Sequence, residues 1–327
     1  MPKNLVDTGS RPLLDLTSYA RRGPGRRDHL SPAEVELIQR TVSRTPEVMV
    51  KVLTRGANTM KAVRAHLTYL NRGGDLEIET DEGERLAGRS VAKWLLGDWD
   101  LDIEEHRRRS DLGPVKDRAS PRLVHKILFS MPPGTPPKKV LEAVKNVARE
   151  EFALQHRYAM VLHTDEPHPH VHLVVKAVGE QGGRMNIRKE TLRRWRAQFA
   201  SHLRRLGVAA NATERAVRGE NRSPLRDPIY RAGRRGDSRV LNSRSVRNTK
   251  EVHPRSEGET LRATRELVRR GWCGVEELLR EAGRKDLAAQ VANFLSRMPD
   301  CRSTNELSID EFVQRRGPRM VELQPSR

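Results

Sequence analysis

The chain has 327 residues, with 62 Lys+Arg against 43 Asp+Glu and a formal net charge of +19. That length accommodates one sizeable core and a smaller one, and the sign of the charge points to a polyanionic partner, nucleic acid first. Cys273 and Cys301 lie far apart and match no zinc spacing or disulfide framework; no apolar run resembles a membrane span or signal-peptide core, so a cytoplasmic protein without membrane insertion is expected.

Residues 1–45 read as an N-terminal arm. "SYARRGPGRRDHL" is basic and broken by Gly and Pro, and "SPAEVELIQR" predicts a short helix with Ser31 as N-cap, Pro32 in first position and Glu34 closing a capping box. "EVMVKVLT" alternates as a strand. A helix follows over 58–70, with Met60, Val63 and Leu67 on one stripe and Gly73-Gly74 closing it. Residues 72–120 are polar apart from a short helix in "SVAKWLLGDW", and "EEHRRRS" is a solvated charge run. "RLVHKILFSM" is a strand stopped by "PPGTPP", and "KKVLEAVKNVAREEFA" a helix. "RYAMVLHTD" and "HVHLVVKAV" form an antiparallel hairpin across an acidic, Pro-containing turn. "KETLRRWRAQFASHLRRLG" is an amphipathic helix ending at Gly207.

This order predicts an α+β fold over residues 46–212: one mainly antiparallel sheet with helices packed on it. Residues 213–256 carry twelve Lys+Arg against five Asp+Glu and read as a basic linker. Residues 257–327 read as a small C-terminal helical region of three or four helices, in "TLRATRELVRR", "GVEELLREAG", "DLAAQVANFLSRM" and "SIDEFVQRR".

The stretch "VLHTDEPHPHVHLVVKA", Val161 to Ala177, holds four of the chain's 11 histidines. Strand alternation puts His168, His170 and His172 on one side, with Val171, Leu173 and Val175 turned to a core and His163 across the hairpin. Three converging imidazoles suit a divalent metal with open coordination positions; no cysteine is near to close a structural zinc tetrahedron, and no H-E-x-x-H is present. In a basic protein, such a metal would polarise a phosphodiester oxygen.

The chemistry then needs a nucleophile. Of four tyrosines, Tyr19 and Tyr230 fall in Gly/Arg-rich arms, and Tyr158 lies on the strand leading into the histidines, where packing is its job. Tyr69 ends a helix in "AVRAHLTYLNRGG", with arginines and two glycines beside it; without the metal site, core packing would be the better reading of it.

"HTDEPHPHVHLVV" resembles the histidine motif of conjugative relaxases, mobilisation nucleases of the HUH endonuclease superfamily, and in particular the group typified by the agrobacterial T-DNA nuclease. "RAHLTYLNRGG" is similar to their nucleophile motif and "ILFSMPPGT" to their middle motif, and the likeness covers residues 46 to about 222. It implies an HUH nuclease domain that nicks and rejoins a transfer origin through a tyrosine–5′-phosphate intermediate. Its site would comprise His163, His170 and His172 as ligands of Mg²⁺ or Mn²⁺, Tyr69 as nucleophile, and Ser130, Arg64 and Arg72 as DNA contacts. Asp165 and His168 would orient the site or take the tyrosine proton. A turn role for Asp165 and a plain strand-end role for Ser130 stay open.

The resemblance also implies transfer-origin DNA, accessory DNA-binding proteins, a coupling protein and a type IV secretion system as partners. Tyr69 departs from the family pattern by following a long arm, and the chain holds no G-x-x-x-x-G-K-[ST] motor motif. Two alternatives remain at this stage. A rolling-circle replication initiator carries its tyrosine after the histidine motif, whereas Tyr69 precedes it. A non-catalytic DNA-binding accessory protein would explain the charge and leave the histidines idle.

Overall fold

The computed structural model describes residues 14–20, 27–53, 58–104, 121–220 and 256–298. In chain order the elements are α1 (Leu16–Ala20), α2 (Pro32–Val42), β1 (Met49–Leu53), α3 (Met60–Leu70), β2 (Ile78–Thr80), β3 (Arg85–Leu86), α4 (Val91–Asp98), β4 (Val124–Ser130), α5 (Pro137–Phe152), β5 (Tyr158–His163), β6 (His170–Lys176), α6 (Lys189–Arg205), α7 (Ser256–Glu281) and α8 (Lys285–Ser296). They divide into two compact units, one formed by the described residues between 44 and 212 and the other by those between 14 and 43 and from 213 to 298.

The first unit is α+β. Its six strands run in the order β1-β4-β6-β5-β2-β3, and every pairing among them is antiparallel. The sheet is covered on both faces. Val171, Leu173 and Val175 of β6 enter a core with Ile127 and Phe129 of β4 and with the buried stripes of α5 and α6, including Val144, Trp195 and Phe199. On the other face Val124, Ala159, Val161 and Val174 pack with Val63, Leu67 and Leu70 of α3 and with Leu95 and Leu96 of α4. Burying both faces explains why β4 and β6 read as near-continuous apolar runs. Backbone bonds from Val48 N to Asn211 O and from Asn211 N to Pro46 O join the first and last parts of this unit.

Residues 72–104, which the sequence left mostly unassigned, hold the β2–β3 hairpin as well as α4. The link from α3 to that hairpin depends on Gly74: its φ is +119°, and a Cβ there would stand 2.8 Å from the Gly88 backbone. Asn71 Nδ2 donates to the Gly88 carbonyl at 3.1 Å and holds the same crossing.

The second unit is helical, and it corrects three readings of the sequence. Residues 14–20 and 27–43 are packed structure and not an arm: Leu14, Leu16, Tyr19 and Ile38 are buried with Trp272, Val275 and Val291. The Ser31–Glu34 capping box forms as expected, and Glu34 also accepts from the Tyr19 hydroxyl at 2.9 Å. Secondly, "TLRATRELVRR" and "GVEELLREAG" are one helix, α7. Gly271 and Gly274 do not break it; they let it approach α1, because a Cβ on either would collide with the Leu16 or Tyr19 carbonyl oxygen. Thirdly, the start of the segment read as a basic linker is packed, since Val217 is buried and its carbonyl accepts from Trp272 Nε1 at 2.7 Å. The rest of that linker, Tyr230, Cys301, the run "EEHRRRS" beyond Glu104, "SIDEFVQRR" and the basic C-terminal tail lie outside the described residues. No helix among the described residues is long and apolar enough to cross a membrane.

Candidate active site

The site forms where the turn end of the β5–β6 hairpin meets the C-terminus of α3. The register pairs His163 with His170 and Val161 with His172, so alternation delivers His163, His170 and His172 to the face covered by α3. Their ring centroids are 4.8 to 5.3 Å apart, and one ligand atom from each lies within 4.8 Å of the others. His168 does not join them. It is exposed in the turn before β6, where Pro167 and Pro169 remove the backbone donors a longer ladder needs. Only its carbonyl reaches the cluster, accepting from His170 Nδ1 at 2.9 Å.

These imidazoles are held as lone-pair donors. His163 Nε2 donates to the Leu70 carbonyl at 2.8 Å, and His170 donates in the same way to His168, so the second nitrogen of each keeps its lone pair for a ligand, on His163 beside a 3.4 Å contact from Arg72 Nη2. His172 Nδ1 is buried with no hydrogen-bond partner among the described residues. Burial, then the nearby positive potential of His163 and His170, lowers the His172 pKa to about 3. Burial also lowers that of His163. Neutral, converging, carbonyl-oriented imidazoles fit a divalent cation well.

Tyr69 occupies the last turn of α3 and is 59% exposed. The guanidinium of Arg72 lies over its ring, 4.8 Å from the centroid. The same guanidinium is ion-paired with Asp165, and its Nη2 donates toward His163 Nδ1 at 3.4 Å. Arg72 holds a left-handed φ of 53° just after the helix, which is how one short segment turns from the tyrosine back to the histidines. The Asp165 carboxyl is lowered in pKa despite a desolvation cost, through its hydrogen bond and charge contact with Arg72.

The other sequence candidates separate cleanly. Ser130 is buried at the end of β4 and pairs across the sheet with His170, on the same face; its hydroxyl makes a 3.5 Å contact to the Met131 carbonyl. Arg64 is not brought to the histidines and lines a groove between α3 and α4. Tyr158 is buried among Phe152, Met160 and Leu173 on the opposite face of the sheet, with its pKa raised by burial.

Residues 81–207 match the family model described as Relaxase: MobA/VirD2-like, nuclease domain. That stretch is similar to the nuclease domain of MobA/VirD2-like relaxases. Two curated relatives, both named T-DNA border endonuclease VirD2, are each 26% identical to this chain. The one from Agrobacterium fabrum aligns over 60% of this chain and 46% of its own length, and the one from Rhizobium radiobacter over 55% and 44%, so the match spans less than half of either relative. A solved structure described as "Molecular Basis of Vancomycin Resistance Transfer in Staphylococcus aureus" is 16% identical and covers 52% of this chain and 99% of that one, with a TM-score of 0.31.

The stretch matched to the relaxase model contains the three histidines, Asp165, His168 and Ser130; Tyr69, Arg64 and Arg72 precede it. Two neighbours of the site were missed in the sequence. The His66 ring stands edge-on to His172 at 6.2 Å between centroids. Its Nε2 is buried without a hydrogen-bond partner among the described residues, and burial, with the charge of Lys126, lowers its pKa to about 4. Lys126 itself is buried on β4, where burial lowers its pKa. The signal for His66 was available, since a residue three before Tyr69 on a helix shares its side. Lys126 gave none, because a lone lysine in an apolar strand is visible as a site residue only once α3 covers it.

Proposed function

We propose that this chain nicks and rejoins one strand of transfer-origin DNA, with the Tyr69 hydroxyl as the attacking group and His163, His170 and His172 as a divalent metal site. One arrangement supports the reading above all: an exposed phenol at the end of α3, joined through Arg72 to Asp165 and to a histidine of the cluster.

The Tyr69 oxygen bonds to phosphorus, the bond to the 3′ oxygen breaks, and that oxygen leaves with a proton as a 3′-hydroxyl. The phosphate stays on Tyr69 as a 5′-phosphotyrosine diester. One phosphodiester replaces another of similar energy, so the step is reversible and requires no nucleotide cofactor. A phenol is a weak nucleophile at neutral pH, so the attack needs a neighbouring base to take its proton; the Arg72 guanidinium lies over the ring. Asp165 holds Arg72 in place and, with the exposed His168, is a candidate to accept the phenol proton. A bound Mg²⁺ or Mn²⁺ would polarise a non-bridging oxygen of the scissile phosphate and offset its developing charge. Ser130, opposite His170 on β4, and Arg72, beside Tyr69, are the residues this reading assigns as DNA contacts. Arginines in residues 213–256 are suited to phosphates and thus to affinity more than sequence choice. Accessory DNA-binding proteins, a coupling protein and a type IV secretion system are the partners this activity calls for, in a cytoplasmic setting.

The test uses an end-labelled single-stranded origin oligonucleotide with Mg²⁺ or Mn²⁺, run on a denaturing gel. Label on the 3′ side migrates with protein, resists boiling in detergent and returns to full-length DNA on addition of a fresh 3′-hydroxyl strand. Efficient cleavage to a free 5′-phosphate without a protein-linked band overturns the covalent reading; binding without cleavage leaves a non-catalytic accessory protein.

A further inference from the structure

Behind the catalytic end of α3, away from the histidines, α3 and α4 enclose an open groove of about 780 Å³, within the usual range of ligand sites. Met60 and Ala65 from α3 and Leu96 from α4 give it an apolar floor; Lys61, Arg64 and Lys93 line it with positive charge, against the carboxylate of Asp102. Thr68 borders it and is the residue before Tyr69, and the 44% exposed Trp94 follows Lys93 on α4. None of these cations is used by the histidine site.

An apolar floor with a cationic rim is matched by a ligand with a flat, weakly polar face and an anionic tail. A free phosphate would leave the floor wet, and an apolar peptide would leave the cations uncompensated. A nucleotide satisfies both, with its base on the floor and its phosphate at the rim. Gly97 lines the groove and puts no side chain into it. It sits inside α4, where glycine weakens a helix relative to alanine, and a Cβ built there meets nothing within 4 Å. We propose that the α3–α4 groove is a nucleotide subsite that takes one base of the single strand flanking the phosphate attacked by Tyr69. The assignment to that strand rests on the activity proposed above.

The experiment measures fluorescence anisotropy of the full chain in chelator, so that nothing is cut. The probes are an oligothymidylate of about twenty nucleotides and a strand of equal length lacking its bases. Wild type is expected to prefer the strand with bases by about tenfold or more. Gly97→Leu, which fills the groove without adding charge, should cut that preference to about threefold or less while binding the baseless strand as wild type does. Lys93→Ala should weaken both strands equally and reduce the salt slope by about one. Ala65→Leu plugs the groove from the facing helix and decides the matter if Gly97→Leu melts early by circular dichroism. An unchanged preference in the folded plugged variant, or no preference in wild type, overturns the subsite. A preference that Gly97→Leu removes, in a protein that forms no covalent product with origin DNA, keeps the nucleotide site and removes the relaxase reading instead.

Discussion

Both faces of the central sheet are covered, yet they are built differently. On the α5–α6 side, β6 contributes Val171, Leu173 and Val175, all fully buried in a continuous apolar core. On the α3–α4 side the same strand offers His170, His172 and Val174, and β4 adds Lys126 and Ser130. A buried histidine or lysine costs stability unless it is bonded or neutral, and the lowered pKa values of His66, His163, His172 and Lys126 reflect that cost. One face of the sheet holds the molecule together; the other gives up some packing to gather ligands and charge beneath an exposed tyrosine.

The comparison breaks most sharply at Tyr69. Tyr69→Phe removes one oxygen and no positive charge, so cleavage of origin DNA should fall by on the order of a thousandfold or more, while binding by anisotropy stays near wild type. Residual cleavage near the wild-type rate would return the search to other nucleophiles, although Tyr158 is a poor one from the far side of the sheet.

Paired substitutions on β6 sharpen the contrast. Leu173→Ala should cost about 2–5 kcal/mol in urea unfolding and leave metal stoichiometry unchanged in the protein that stays folded. His172→Ala should abolish Mn²⁺ retention by elemental analysis with little loss of stability, since it deletes a buried nitrogen that lacks a partner. Equal Mn²⁺ content in His172→Ala and wild type would show that the histidine face is ordinary core.

A smaller effect is expected at the link between the two halves of the site. Asp165→Asn keeps size but frees Arg72, and should slow cleavage about tenfold with no change in Tm. A loss of thermal stability in place of rate would make the Asp165–Arg72 pair a structural tie.

The smallest effect concerns acid. Burial first, and neighbouring positive groups after it, lower the pKa of His172 from 6.5 to about 3 and those of His66 and His125 to about 4. The unfolded chain takes up these protons near pH 6.5 while the folded chain does not, so stability should fall as pH drops from about 6.5 toward 4. His125 belongs to the α5–α6 side by alternation along β4, so His125→Gln should flatten part of that slope without touching Mn²⁺ retention. His66→Gln should flatten a similar part from the site side. An acid slope unchanged in both variants would place the cost elsewhere.

Features governed by near neighbours could be read from the sequence alone. The Ser31–Glu34 cap, the β5–β6 hairpin, the end of α6 at Gly207, and the parity that puts His170 and His172 opposite Val171 and Leu173 all follow from turn chemistry and from strand and helix periods; α3 instead ends at Asn71, with Arg72 in the left-handed region ahead of Gly73. His168 was misplaced because the prolines beside it shorten the strand. The strand order β1-β4-β6-β5-β2-β3, the short β2–β3 hairpin and the packing of residues 14–20 and 27–43 with α7 depend on partners distant in the chain. So does the meeting of Arg72 with Asp165, 93 residues apart. Local propensity fixes which way a side chain faces; only the packing of α3 on the sheet determines what it faces. That packing brings His66 and Lys126 under the histidines and leaves Arg64 in a groove of its own.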